Sequence, residues 1–284
     1  MAIFYNQATL TYNGGVANSN IVSGEIVEVV TAAKTATPSA YRAGETITYV
    51  ISLFNGGTTA VSGLTVTDDL GAYTRGEETL VPLDYVDGSL RFFVNGALQA
   101  SPAVTISSGS LVISGIDIPA GSNAILVYRA IVNGFAPLAV DSEITNTATV
   151  TGGGIINPVT VSETVTSEDS ALLSINKAVS PSTVTENGRL TYTFVIENSG
   201  NTEAVATDSI VVRDVFDPVL SALVVTFDGE TWTENTEYTY NAATGEFETV
   251  AGQITVPAAT YTTDASGAVI VTPGSVTLTV SGTV

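Results

Sequence analysis

Thr46-Ile47-Thr48-Tyr49-Val50-Ile51-Ser52-Leu53 alternates at a period of two and decides the fold class. Alternation of this kind, broken by Gly, Asn and Pro, marks strands. The same pattern returns in Leu190 to Ile196 and in Ser275 to Val280. No convincing amphipathic helix interrupts it. The expectation is an all-β chain of sandwich domains. At 284 residues, 44% of them apolar, it has room for two domains with sizeable cores.

Working outward from that strand exposes a repeat. Upstream lies Lys34-Thr35-Ala36-Thr37-Pro38-Ser39, and its second copy is Lys177-Ala178-Val179-Ser180-Pro181-Ser182. Fifteen residues separate Lys34 from Tyr49 and Lys177 from Tyr192. These two are the chain's only lysines, so a sequence that avoids the amine elsewhere keeps one per repeat. Each lysine is read as half of a covalent cross-link, one of them between molecules.

Downstream, Asn55 and Asn198 each lie 21 residues after their lysine. Two runs then end in an acid, Leu64-Thr65-Val66-Thr67-Asp68 and Ile210-Val211-Val212-Arg213-Asp214. The turns Ile118-Pro119-Ala120-Gly121 and Thr272-Pro273-Gly274 lead into the strands Ala124 to Val132 and Ser275 to Val284. Only the first copy then has a last strand, Ile144-Thr145-Asn146-Thr147-Ala148-Thr149-Val150-Thr151.

A second version of that strand lies at the other end. Asn6-Gln7-Ala8-Thr9-Leu10-Thr11 matches Asn146-Thr147-Ala148-Thr149-Val150-Thr151, and Ile21 to Val27 matches Val159 to Val165. The expected organisation is an N-terminal donor strand and connector (1–30) and a first Ig-like β-sandwich (31–151). A connector (152–171) and a second, incomplete sandwich (172–284) follow. The donor strand is Ile3, Phe4, Tyr5, Asn6, Gln7, Ala8, Thr9 and Leu10, with Ile3, Tyr5, Gln7 and Thr9 as its alternating contacts. The simplest geometry that completes every domain is head-to-tail, with the strand of one copy in the second repeat of the next. This is β-strand addition, and a contact that does not close on itself yields an open filament. The alternative is a strand that folds back onto its own second repeat.

The net charge of −20 argues against nucleic acid and anionic membranes as partners. The chain has no Cys and no His, so disulfides, thiolate or imidazole metal sites and Ser-His or Cys-His catalysis are excluded. No stretch is long and apolar enough to insert in a bilayer. No cofactor and no metal are expected, because no acidic loop shows a ligand pattern. Met1 to Leu10 lacks the basic and apolar regions of a secretory signal, and Ser281-Gly282-Thr283-Val284 carries no anchor motif.

The lysine start with Pro-Ser, the Thr-Tyr strand, the Asn-Gly turn, the Val-Thr-Asp strand end and Asn-Thr-Ala-Thr-Val together resemble a known family. It is that of the DUF-eleven-like and isopeptide-forming repeat domains of bacterial surface and fimbrial (pilin-like) proteins. In the isopeptide-forming members a buried Lys joins an Asn side chain, promoted by an acid. The resemblance implies Lys34, Asp68 and Asn146 in repeat one. In repeat two it implies Lys177, Asp214 and Asn6 of the next molecule. Asp69 is the alternative acid in repeat one, although Val215 at the equivalent place in repeat two favours Asp68 and Asp214. Burial would favour the neutral, nucleophilic amine and a protonated Asp that donates to the Asn carbonyl.

The functional expectation is a self-assembling structural subunit of an extracellular fibre, such as a pilus or a cell- or spore-surface appendage. Its partners are copies of itself, and it is not an enzyme beyond a single self-directed turnover. The competing expectation is an adhesin or stalk module using Trp232, Tyr238, Tyr240 and Phe247.

Overall fold

The computed structural model describes residues 2–284. The described residues form strands and one short 3-10 turn, Ala206–Asp208, with no α-helix among them. They divide into two compact units. The first runs through Pro137 and includes Glu143–Thr166; the second holds Leu138–Ser142 and Ser167–Val284.

Unit 1 has two large sheets. One runs in the order Ala97–Gln99, Arg91–Val94, Asn123–Val132, Thr46–Asn55 and Val30–Thr37, the lysine strand. The other runs Ala103–Ser107, Ser110–Ile118, Val61–Asp68 (the acid strand), Glu143–Gly152 (the asparagine strand), Val159–Ser167 and Ala40–Tyr41. Period two decides what is buried. Ile47, Tyr49, Ile51 and Leu53 turn inward from one sheet; Leu64, Val66, Ile113, Ala148 and Val150 turn inward from the other. Hydroxyls line the solvent face, where Thr145 and Thr147 bond across to Thr164 and Ser162.

Val159–Ser167 falls within the expected connector, 152–171. Here it is a strand of unit 1, antiparallel to the asparagine strand from Val150 opposite Val159 to Glu143 opposite Thr166. The reason is its own alternation, which buries Val165 beside Ile144. The turn between the two strands places Gly152, Gly153 and Gly154 all at positive φ, a region side chains resist.

The N-terminal segment, expected as one donor strand, forms both legs of a hairpin. Ala2–Asn6 pairs with Val22–Ile26, and Thr9–Tyr12 pairs with Gly15–Asn18. It is the counterpart of the asparagine strand and Val159–Ser167 together. Its apolar side chains lie open, among them Ile3, Phe4, Tyr5, Leu10, Tyr12 and Val16.

Unit 2 repeats most of this plan. Its larger sheet runs Glu230–Trp232, Ser221–Phe227, Gly274–Thr283, Arg189–Asn198 and Leu173–Ser180, the same order as the first sheet of unit 1. Its second sheet has only Tyr238–Asn241, Glu246–Thr249 and Arg213–Val215. Arg213–Val215 is the counterpart of the acid strand. Among the described residues nothing pairs with its other edge, where unit 1 has the asparagine strand. The aromatics considered for an adhesive surface serve the core instead. Tyr238 and Phe247 are buried, Tyr240 packs against that core, and Trp232 stacks on Phe227 with centroids 4.9 Å apart.

Candidate functional site

Three inward positions of unit 1 are polar where the alternation calls for apolar residues. Lys34 continues the buried series begun by Val30; Asp68 follows Leu64 and Val66; Asn146 lies between Ile144 and Ala148. All three are buried, and register fixes their meeting point. Lys34 lies opposite Ile51, and Ala148 lies opposite Asp68, so Asn146 stands just past the end of the acid strand.

Lys34 Nζ donates to Asp68 Oδ2 at 2.7 Å, with both side chains 0% exposed. The Tyr128 hydroxyl donates to the same oxygen at 2.7 Å, and Asn146 Nδ2 donates to the Tyr128 hydroxyl at 3.1 Å. The backbone N–H of Leu70 donates to Asp68 Oδ1. Asn146 Oδ1 has no hydrogen-bond partner. The Lys34 amine also lies 5.0 Å from the centre of the Tyr49 ring, which stacks on Tyr128. Burial pulls the Lys34 amine below its ordinary value, against the opposing pull of Asp68. Burial also pushes the Tyr128 hydroxyl well above the ordinary tyrosine range.

Sequence reasoning missed Tyr128. It expected Asp68 to reach the amide of Asn146 directly, whereas a tyrosine hydroxyl stands between them. The available signal was a hydroxyl on the inward series Leu126, Tyr128, Ala130 of a strand otherwise apolar on that face. Asp69 has a separate task. Its carboxylate accepts the N–H of Thr147 and of Gly71, tying the asparagine strand to the acid strand. Burial pushes its carboxyl up. Asn55 and Asn198 are corner staples: each takes the N–H two residues on, and each donates to carbonyls of facing loops.

In unit 2 Lys177 lies opposite Phe194, as Lys34 lies opposite Ile51. It forms an ion pair with Asp214, but the lysine side chain is 40% exposed. The amine lies 4.6 Å from the centre of the Tyr192 ring. Tyr49 faces Tyr128 in unit 1, whereas Tyr192 faces Val280 in unit 2. Correspondingly, Asp214 Oδ2 meets the Lys177 amine and receives no tyrosine hydroxyl. The surrounding face is apolar and uncovered: Leu173 is 38% exposed, whereas its counterpart Val30 is 3% exposed. A cleft of about 170 Å³ separates Leu173, Ser174 and Ile175 from Ile210, Val211 and Val212. Asn6 lies in the N-terminal hairpin, opposite Val22 and exposed.

No family model and no curated protein matches the chain. Solved structures do. The pilus backbone RrgB of Streptococcus pneumoniae is 13% identical, over 86% of this chain and 55% of that one, with a TM-score of 0.36. BcpA, the major pilin subunit of Bacillus cereus, is 13% identical over 96% and 73%, with a TM-score of 0.37. The major pilin SpaD of Corynebacterium diphtheriae is 11% identical over 86% and 59%, with a TM-score of 0.35. The chain thus spans little more than half the length of two of these. Scores this low decide nothing about function, which is read from the chain's own residues.

Proposed function

We propose that this chain is a structural subunit of a bacterial surface fibre, built by donation of the N-terminal hairpin of one copy to unit 2 of the next. One observation carries this. Unit 2 keeps the strand order of the first sheet of unit 1 but lacks, on the open side of its acid strand, the asparagine strand and the Val159–Ser167 strand next to it, and the hairpin carries the sequence of those two strands. Each surface has what the other lacks. The acid strand of unit 2 offers an unpaired edge and its lysine strand offers exposed Ile175 and Val179; the hairpin offers exposed Phe4 and Leu10. Open edges and apolar faces of this kind invite strand addition.

The unit 1 pattern indicates which donor residues turn inward. Ile144, Asn146, Ala148 and Val150 are the buried set there, so their counterparts are Phe4, Asn6, Ala8 and Leu10. This reverses the face first read from sequence, because a strand that points Asn6 at Lys177 points Ile3, Tyr5 and Gln7 the other way. The free hairpin pairs Ile3 with Glu25, whereas the sequence match to Glu163 would set Glu25 opposite Asn6. Docking therefore includes a change of register, which an exposed two-stranded ribbon specifies only weakly.

The chemistry is amide exchange. A neutral Lys34 amine attacks Cγ of Asn146, an isopeptide forms, and ammonia leaves. Lys177 and Asn6 of the incoming copy do the same once docked. Holding amine and carboxamide together in a dry core supplies the effective concentration that makes the step feasible. The fibre is placed outside the cell, on a cell or spore surface. No helix among the described residues is long and apolar enough to cross a membrane.

A boiled SDS gel of wild type, Lys177→Ala and Asn6→Ala, with intact mass on each monomer band, tests this. The expected result is a ladder of multimers in wild type alone, with every monomer lighter by one ammonia. A single monomer band in all three ends the fibre reading and leaves only the internal bond. A wild-type monomer short of two ammonias assigns the hairpin to its own chain.

A further inference from the structure

The geometry points to Tyr128 as the proton relay of the unit 1 cross-link, carrying the proton released at the nucleophile to the leaving nitrogen. The inference rests on Lys34 and Asn146 being the partners proposed above. Three contacts form an unbroken line from one reacting nitrogen to the other: Lys34 Nζ to Asp68 Oδ2 at 2.7 Å, Asp68 Oδ2 to the Tyr128 hydroxyl at 2.7 Å, and that hydroxyl to Asn146 Nδ2 at 3.1 Å. All four residues are buried, and bulk water is not needed to complete the line.

The proton balance closes along this line. Asp68 takes a proton from the Lys34 ammonium and frees the amine. As the Nζ–Cγ bond forms, the Tyr128 hydroxyl gives its proton to Asn146 Nδ2 and takes the one held by Asp68. The Cγ–Nδ2 bond then breaks and ammonia leaves. Asp68 receives the surplus proton from Nζ and ends protonated beside a neutral amide. Poor amine leaving groups need that proton, and its delivery by a positioned group is general acid catalysis. Tyr128 does not ionise in the process. Burial keeps its hydroxyl protonated, so it exchanges one proton for another.

Unit 2 provides the internal contrast. Val280 occupies the position facing Tyr192 that Tyr128 occupies facing Tyr49, so Asp214 Oδ2 meets its lysine but lacks the tyrosine hydroxyl that Asp68 Oδ2 receives. The relay is a property of unit 1 alone.

Tyr128→Phe keeps the ring that stacks on Tyr49 and removes only the hydroxyl. The full chain, made by cell-free synthesis, is sampled over time by intact mass in ordinary and heavy water, and its melting curve checks the fold. The expected result is loss of ammonia slowed by about 100-fold or more in the variant. The solvent isotope effect of the wild type should disappear with the hydroxyl. Equal rates, or a slower variant that keeps the wild-type isotope effect, overturn the relay while leaving the cross-link in place. If the wild type itself never loses the unit 1 ammonia, the cross-link reading fails, and the relay fails with it.

Discussion

Lys34 and Lys177 occupy the same register position, each above a tyrosine ring and each paired with an aspartate. Their neighbours on their own sheet are nearly the same, yet one side chain is sealed and the other is 40% exposed. The difference comes from a strand that neither lysine belongs to. In unit 1 the asparagine strand covers the acid strand and closes the core over Lys34; in unit 2 nothing described covers that edge. A lysine in water stays an ammonium and cannot attack an amide, whereas one in an apolar core favours the amine. In the proposed assembly the covering strand would bring the electrophile and also bury the nucleophile. On this view the bond between subunits is switched on by docking.

The sharpest way to break the comparison is to remove both acids, one at a time. Asp68→Ala should be the most damaging single change in the chain. It leaves the buried Lys34 without its partner, at roughly 3–5 kcal/mol, and also abolishes the cross-link. Asp214→Ala removes a partly solvated pair and should cost the isolated subunit about 1 kcal/mol or less. It should nevertheless abolish the multimer ladder. Urea melts of the two variants measure this. Comparable losses at the two sites would mean that the covering strand does not distinguish them.

A smaller effect isolates the bond from the ion pair. Asn146→Ala keeps Lys34 and Asp68 together and removes the electrophile. A link from Lys34 to Asn146 closes a loop of about 110 residues, and in the chain-entropy model a closure of that size is worth about 5 kcal/mol. The variant should melt correspondingly earlier and keep its full mass. Asn6→Ala changes no bond within unit 1 and should leave the monomer melt where it was.

Much of this was legible in the sequence because it rests on period two. The alternation in Thr46–Asn55 determined which side chains are buried, and the recurrence of lysine, acid and asparagine located three polar residues that the fold does bring together. Two features were not legible. Val159–Ser167 reads as strand, but nothing local says which domain it joins, and only the pairing of Val165 with Ile144 places it in unit 1. Tyr128 carries no local signal of its role, because a tyrosine in a strand is ordinary. Its role depends on the cross-strand register that sets it against Tyr49, and no local pattern encodes that. The face of the donor strand is open for a related reason: alternation gives two faces, and the proposed one is chosen by analogy with the buried set around Asn146.

The gentlest test of the comparison uses pH. In the unbonded Asn146→Ala variant Lys34 remains an amine, and burial holds it below the 10.5 it has when unfolded. Between those two values the unfolded chain binds a proton that the folded chain does not, so stability must rise with pH through that window. The stabilisation is complete above 10.5 and is lost as pH falls through the folded value. The slope is at most about 1.4 kcal/mol per pH unit. Buried Tyr49 and Tyr128 work in the opposite sense above 10, because burial pushes them up, and removing Asn146, which pulls both down, enlarges that opposing effect. Below pH 10 the difference between wild type and variant therefore isolates the lysine. A bonded Lys34 is an amide and does not titrate, so wild type should lack the alkaline gain that Asn146→Ala shows. Adding Lys34→Met to the variant should flatten it again. Parallel pH profiles in wild type and Asn146→Ala would mean that Lys34 is in the same chemical state in both, and that the amide bond is absent from unit 1.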